Sequence, residues 1–167
     1  MKEKNVSAQW DTKVKLLTIL FSGILGYFII DSAHHLGQLH WSFRTVAPVA
    51  VIVFALTFMV TGYGVDSEGI VIERLFWRRH IFRDKVNDVS FRSPLGYQGI
   101  GLCGVWGFFG HWGIAYSKGI GFHLVIASSS APKVLISRKS GLPILITPSD
   151  PERFIEMWGA ADLDGFA

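Results

Sequence analysis

Apolar residues fill two long runs near the start of the chain, 16–30 and 45–65. Beyond them the pattern changes to short alternating segments cut by polar turns. A helix rises about 1.5 Å per residue, so crossing roughly 30 Å of hydrocarbon takes about 20 apolar residues. The second run has that length and carries no charge. The first is shorter, and Val14 with a snorkelling Lys15 extends it. Thr18 and Ser22 can return their hydroxyls to backbone carbonyls, and Pro48 lies near the start of the second run, where a missing N–H matters least. Trp10, Trp41 and Tyr63 stand at the run ends, where amphipathic rings favour the membrane interface. The pattern predicts a loose polar tail over 1–13 and a transmembrane helical hairpin over 14–62.

After residue 65 the period shortens to that of strands. Asp66-Ser67-Glu68-Gly69 reads as a turn with glycine at its fourth position. Residues 70–77 are β-branched and aromatic, and Arg78-Arg79 falls at the expected hairpin tip before a return over 80–82. Further strands are expected at 86–91, 122–127, 134–138 and 143–146. A helix closes the chain. Ser149 to Glu152 has capping-box spacing, Asp150-Pro151 offers an alternative cap, and Phe154, Met157, Trp158 and Ala161 share one face. Strands followed by one amphipathic helix make an α+β domain over 63–160, with a short tail at 161–167.

Charge sets the orientation. Lys2, Lys4, Lys13 and Lys15 precede the first run, the connection 31–44 holds only Arg44, and Arg74, Arg78, Arg79, Arg83 and Lys85 follow the second. Positive-inside bias puts both termini in the cytoplasm. A cleaved signal peptide is the competing reading, but Asp31-Ser32-Ala33 is a poor cleavage site. The net charge of +3 is modest, and no nucleic-acid recognition motif is present. The single Cys103 excludes an internal disulfide and a cysteine-based zinc site.

Candidate chemistry is sparse. Asp31, His34, His35 and His40 suggest a metal, yet adjacent histidines on a helix point apart, and a polar interfacial loop is the plainer reading. Residues 99–104 spell G-x-G-x-x-G without a following helix or acidic partner, so nucleotide binding is not expected. Residues 93–117 lack any charge and raise a third span, but seven glycines argue for a strand or loop instead. Trp106, Phe108, Phe109, Trp112 and Tyr116 would then pack in the core. Alternatively Trp106, Phe109 and Trp112 dip into the headgroup layer. Cys103, His111 and His123 have no base or carboxylate at useful spacing, so neither an enzyme nor a cofactor is expected. The basic group Arg74, Arg78, Arg79, Arg83 and Lys85 either meets lipid headgroups or only fixes topology.

Tyr63-Gly64-Val65, Ile70-Val71-Ile72, the segment 81–89, the glycine–aromatic block 104–116 and the ending 146–154 resemble the bacterial PH-like domain family. The resemblance covers about residues 60–160. It implies a PH-like sandwich or barrel of about seven antiparallel strands in two roughly orthogonal sheets, one open end plugged by the C-terminal helix. Members often follow a transmembrane hairpin, and the family offers no general catalytic residue. The expectation is a bacterial inner-membrane, multi-pass protein without enzymatic activity, whose cytoplasmic domain binds a protein partner or anionic lipid. Its expected partners are membrane lipids and a protein, a second copy of the chain included, with no nucleic acid. An accessory subunit of a transporter is the alternative: Ser22-x-x-x-Gly26 would let helices approach, although neither run carries a buried charge.

Overall fold

The computed structural model describes residues 4–34, 41–92, 99–129 and 134–164. The elements run β1 (Lys4–Ser7), α1 (Thr12–His34), α2 (Trp41–Phe58), β2 (Val60–Val65), β3 (Gly69–Arg74), β4 (Arg78–Phe82), β5 (Val86–Phe91), β6 (Gly99–Trp106), β7 (His111–Ser117), β8 (Gly121–Ala127), β9 (Val134–Arg138), β10 (Ile144–Ile146) and α3 (Pro151–Asp164). Among the described residues these strands form two sheets, ordered β1-β2-β3-β4 and β5-β9-β10-β8-β7-β6. The count exceeds the seven expected, and one pair, β8 with β10, is parallel.

The first sheet corrects the reading of 1–13 as a loose tail. β1 pairs antiparallel with β2, setting Val6 opposite Tyr63. Val6 is buried between exposed Asn5 and Ser7, the period of two that a half-buried strand requires. The N–H of Ala8 donates to Thr61 O at 3.1 Å, and that of Ser149 to Ser7 O at 3.2 Å. The chain therefore enters the domain, leaves it for α1 and α2, and returns to pair with itself.

The run 45–65 does not form one helix. α2 stops at Phe58 and the sheet takes over at Val60. The β-branched Val60, Thr61 and Val65, with Gly62 and Gly64, fit a strand between two partners better than a helix end. Tyr63 accordingly lies fully buried rather than at an interface. Asp66 fixes the next turn, its Oδ1 accepting from the N–H of Glu68 at 2.9 Å and of Gly69 at 2.8 Å. Burial pushes the Tyr63 phenol above its ordinary pKa. Its hydroxyl donates to Ile126 O at 3.0 Å and accepts from the N–H of Thr147 at 3.4 Å. Ser128 continues this buried network, donating its N–H to Thr147 Oγ1 at 2.9 Å and its hydroxyl to Gln9 O at 3.3 Å.

The centre of the six-stranded sheet, around β9, β10 and the second half of β8, is buried on both faces, so these segments read as continuous apolar runs. Ile126, Ile136, Ile144 and Ile146 face the main core with Ile70 and Ile72, and α3 closes it with Phe154 and Met157. Val125, Leu135 and Leu145 turn to the opposite face beneath Trp106. Asp150 caps α3, accepting from Arg153 N–H at 3.0 Å, so the Asp150-Pro151 cap holds. The helix continues through Asp164, into the stretch expected to be tail.

α1 and α2 pack on each other. Among the described residues one stretch, Thr12–Asp31, is long and apolar enough to cross a membrane, and only 11% of it is buried. The apolar part of α2, Val46–Phe58, is shorter. Ile19, Tyr27 and Ile30 are each more than 60% exposed.

Candidate functional site at the helix-facing end of the domain

Two hairpin turns meet the ends of the helices. The first joins β6 to β7 through Gly107-Phe108-Phe109-Gly110, closed by the N–H of Gly107 on Gly110 O at 2.8 Å. Phe109 has φ 58°, left-handed backbone that a bulky residue holds only under outside restraint. Thr18 of α1 supplies it: its Oγ1 accepts from Phe109 N–H at 3.0 Å and lies 3.5 Å from Gly107 O. Thr18 thus serves this turn rather than a carbonyl of its own helix. Gly107 sits so close to Leu17 that a Cβ would collide with it. Phe108 rests beside Phe21 at 5.8 Å and Phe109 beside Trp10 at 5.9 Å.

The second turn, Leu75-Phe76-Trp77, joins β3 to β4 at the end of α2. Trp77 Nε1–H donates to Thr57 O at 3.1 Å, and Leu75 N–H to Met59 O at 3.3 Å. Between turn and helix lies Arg74. Its guanidinium stands 5.1 Å from the Phe58 ring centre and 4.5 Å from that of Trp77, and Nη1 reaches Phe58 O at 3.4 Å. A cation over two rings at a helix C-terminus gains from both the ring quadrupoles and the helix dipole. Burial nevertheless lowers the Arg74 pKa to about 10. Phe58 also stacks against Trp112 at 4.3 Å. Trp10, Phe58, Trp77, Phe109 and Trp112 therefore line one aromatic junction.

The five basic residues do not act as one patch. Arg74 is buried, and Arg78 is exposed beside Glu73 at 3.1 Å. Half-buried Arg79 has its pKa lowered by burial and then by Arg138. Arg83 stacks on Trp158 at 4.2 Å and Lys85 lies over Phe82 at 5.4 Å. Strand rise of about 3.3 Å per residue puts the last two roughly 13 Å or more from Arg79, at the other end of β4. Nor is Arg78-Arg79 the hairpin tip: the strand turns three residues earlier.

Of the aromatic candidates, Phe109 and Trp112 join the junction, both half-buried. Trp106 instead folds its ring onto Gly101, whose missing side chain makes room. His111, 5.9 Å from Trp106, has its pKa lowered by burial, with Asp11 pulling the other way. G-x-G-x-x-G lies within strand β6, with no helix after it. Among the described residues no His, Cys, Asp and Glu group could hold a metal. His35 and His40 lie outside the described residues. An open polar cavity of about 380 Å³ separates the start of α1 from the link into α3, lined by Asp11, Thr12, Lys15, Ser129 and Ser149 among others.

Sequence reasoning missed Leu75-Phe76-Trp77 as a turn because apolar residues there imitate a strand. The flanking Arg74 and Arg78 were the available signal. The family described as bacterial PH domain matches residues 61–159, more than half of the chain. No curated protein matches the chain, and no solved structure does.

Proposed function

Because the chain belongs to the bacterial PH domain family, we propose that it is a non-enzymatic inner-membrane protein. α1 and α2 cross the bilayer as a hairpin and hold the domain on its cytoplasmic face, where the domain engages anionic lipid headgroups. The observation that carries this is the pairing of β1 with β2 around a helix with an apolar, exposed surface. If α1 crosses, the chain must come back to complete the sheet. The apolar part of α2, Val46–Phe58, rises about 20 Å, and the residues from Trp41 to Thr45 extend the helix to about 27 Å. Lys13 and Lys15 open α1, and Arg78 and Arg79 open β4 directly after the turn beside α2, positions that suit an anionic leaflet.

Binding of a protein is the second reading, favoured by a separate feature. Ile100, Tyr116 and Phe122 stand in register across β6, β7 and β8, all exposed, with Tyr116 and Phe122 rings 5.2 Å apart. An apolar patch of this kind marks interaction surfaces. It lies four residues, about 13 Å, along β7 from Trp112 of the aromatic junction, toward the far end of the strand. A transporter would be one host for such an accessory chain.

Topology reporters fused before Lys2 and after Ala167 should both read cytoplasm, and one inserted near Gly37 should read outside. A C-terminal reporter outside the cell overturns the arrangement. For the ligand, lipid retained by the detergent-purified chain should be enriched in anionic species, and R78Q/R79Q should lose that enrichment. Equal enrichment in the variant would remove the lipid reading and leave the protein partner.

A further inference from the structure

We infer that the β3–β4 turn, Leu75-Phe76-Trp77, is a separate membrane contact seated in the interfacial layer of the bilayer beside the end of α2. The inference rests on the membrane reading above and adds to it a part of the domain itself. Hairpin turns are ordinarily built from glycine, asparagine, aspartate and proline, residues that stay in water. Here three large apolar side chains take their place, 44%, 67% and 38% exposed. Trp77 has a place in the fold under Arg74 and beside Phe58, but Phe76, the most exposed of the three, takes no part in the buried core.

The turn is also held at a fixed height. Arg74 N–H closes it onto Trp77 O at 3.0 Å, while Trp77 Nε1–H and Leu75 N–H bind carbonyls of Thr57 and Met59. Its level is therefore that of the last turn of α2, where a span leaves hydrocarbon for headgroups. An indole anchored by its N–H at that boundary sits as interfacial tryptophans do. Phe54, one turn further along α2, is 51% exposed, so the apolar surface of the helix continues onto the turn. Arg78 and Arg79 follow directly, and Lys15 lies at the start of α1, supplying positive charge for lipid phosphates. Continuity with the helix surface and the flanking cations both select a lipid bilayer as the occupant.

The test uses the full chain with Cys103→Ser, reconstituted in vesicles of phosphatidylethanolamine and phosphatidylglycerol. Single cysteines replace Phe76, Ile24 on α1, or exposed Ser140, and each carries an environment-sensitive fluorophore. Spin-labelled lipid should quench the labels at 76 and 24 several-fold more than the label at 140, and aqueous iodide should do the reverse. A label at 76 quenched by iodide, with 24 still quenched by lipid, overturns the inference and spares the membrane reading. A label at 76 shielded from both quenchers means that protein covers the turn, and overturns it too. A label at 24 open to iodide overturns the membrane reading and the inference with it.

Discussion

The N–H of Phe109 donates to the hydroxyl of Thr18 at 3.0 Å, across 91 residues of sequence. Through that bond the first helix holds a strained turn of the domain. The bond makes helix and domain one mechanical unit.

Thr18→Val keeps the shape of the side chain and removes the acceptor. A buried N–H left without a partner costs about 1–3 kcal/mol. The thermal midpoint of the detergent-solubilised chain should fall accordingly, and Thr18→Ser should retain most of the stability. Equal midpoints for all three would mean that the turn is held by ring packing alone.

The N-terminal strand gives a second expectation. Val6→Asp puts a charge into the core opposite Tyr63, and an unpaired buried charge is strongly destabilising. Asn5→Ser, on the exposed side of the same strand, gives up only a surface hydrogen bond to Glu73 and should be close to neutral. Limited proteolysis should cleave the Val6 variant faster within the domain. A segment acting only as a tail would tolerate both changes.

Much of this fold was legible in local pattern. Strands β5 and β9, the Asp66 turn and the buried face of α3 follow from alternation, turn chemistry and helical spacing. The failures share a cause. β1 is four residues long, and its role depends on β2, more than fifty residues later. The division of 45–65 likewise depends on strand pairing, which no window of hydropathy contains. The basic residues looked like one group because they are near in sequence, but β4 carries Arg83 and Lys85 away from Arg78. Burial of Arg74 and exposure of Leu75-Phe76-Trp77 reverse what polarity alone suggests, because the end of α2 offers the cation two rings and a carbonyl.

Acidification should destabilise the folded domain through His111. The folded pKa of His111 lies below its ordinary value near 6.5, chiefly through burial, with Asp11 opposing. Below pH 6.5 the unfolded chain therefore binds the proton more readily, so stability rises with pH through this window and falls as pH drops beneath it. His111→Gln should flatten that part of the pH dependence. Thermal midpoints at pH 7.5 and 5.0 for parent and variant provide the measure, and an unchanged difference between the two would clear His111 of the effect.

The closing helix offers the sharpest contrast between two neighbouring rings. Phe154 is fully buried among the isoleucines of the core, whereas Trp158 is half-buried with Arg83 stacked on its face. Deleting a buried aromatic side chain costs about 3–5 kcal/mol because the cavity left behind does not collapse. Phe154→Ala should therefore remove a large part of the stability of a small domain, which is often about 5–15 kcal/mol. Trp158→Ala removes a partly solvated ring and a cation–π contact of roughly 0.5–1 kcal/mol, so its loss should be clearly smaller. Trp158→Phe should recover part of it by keeping a face for Arg83. Denaturant unfolding of the three variants would rank them. If Trp158→Ala proved as costly as Phe154→Ala, the plug of the sheet core would extend a full turn further along α3 than its burial indicates.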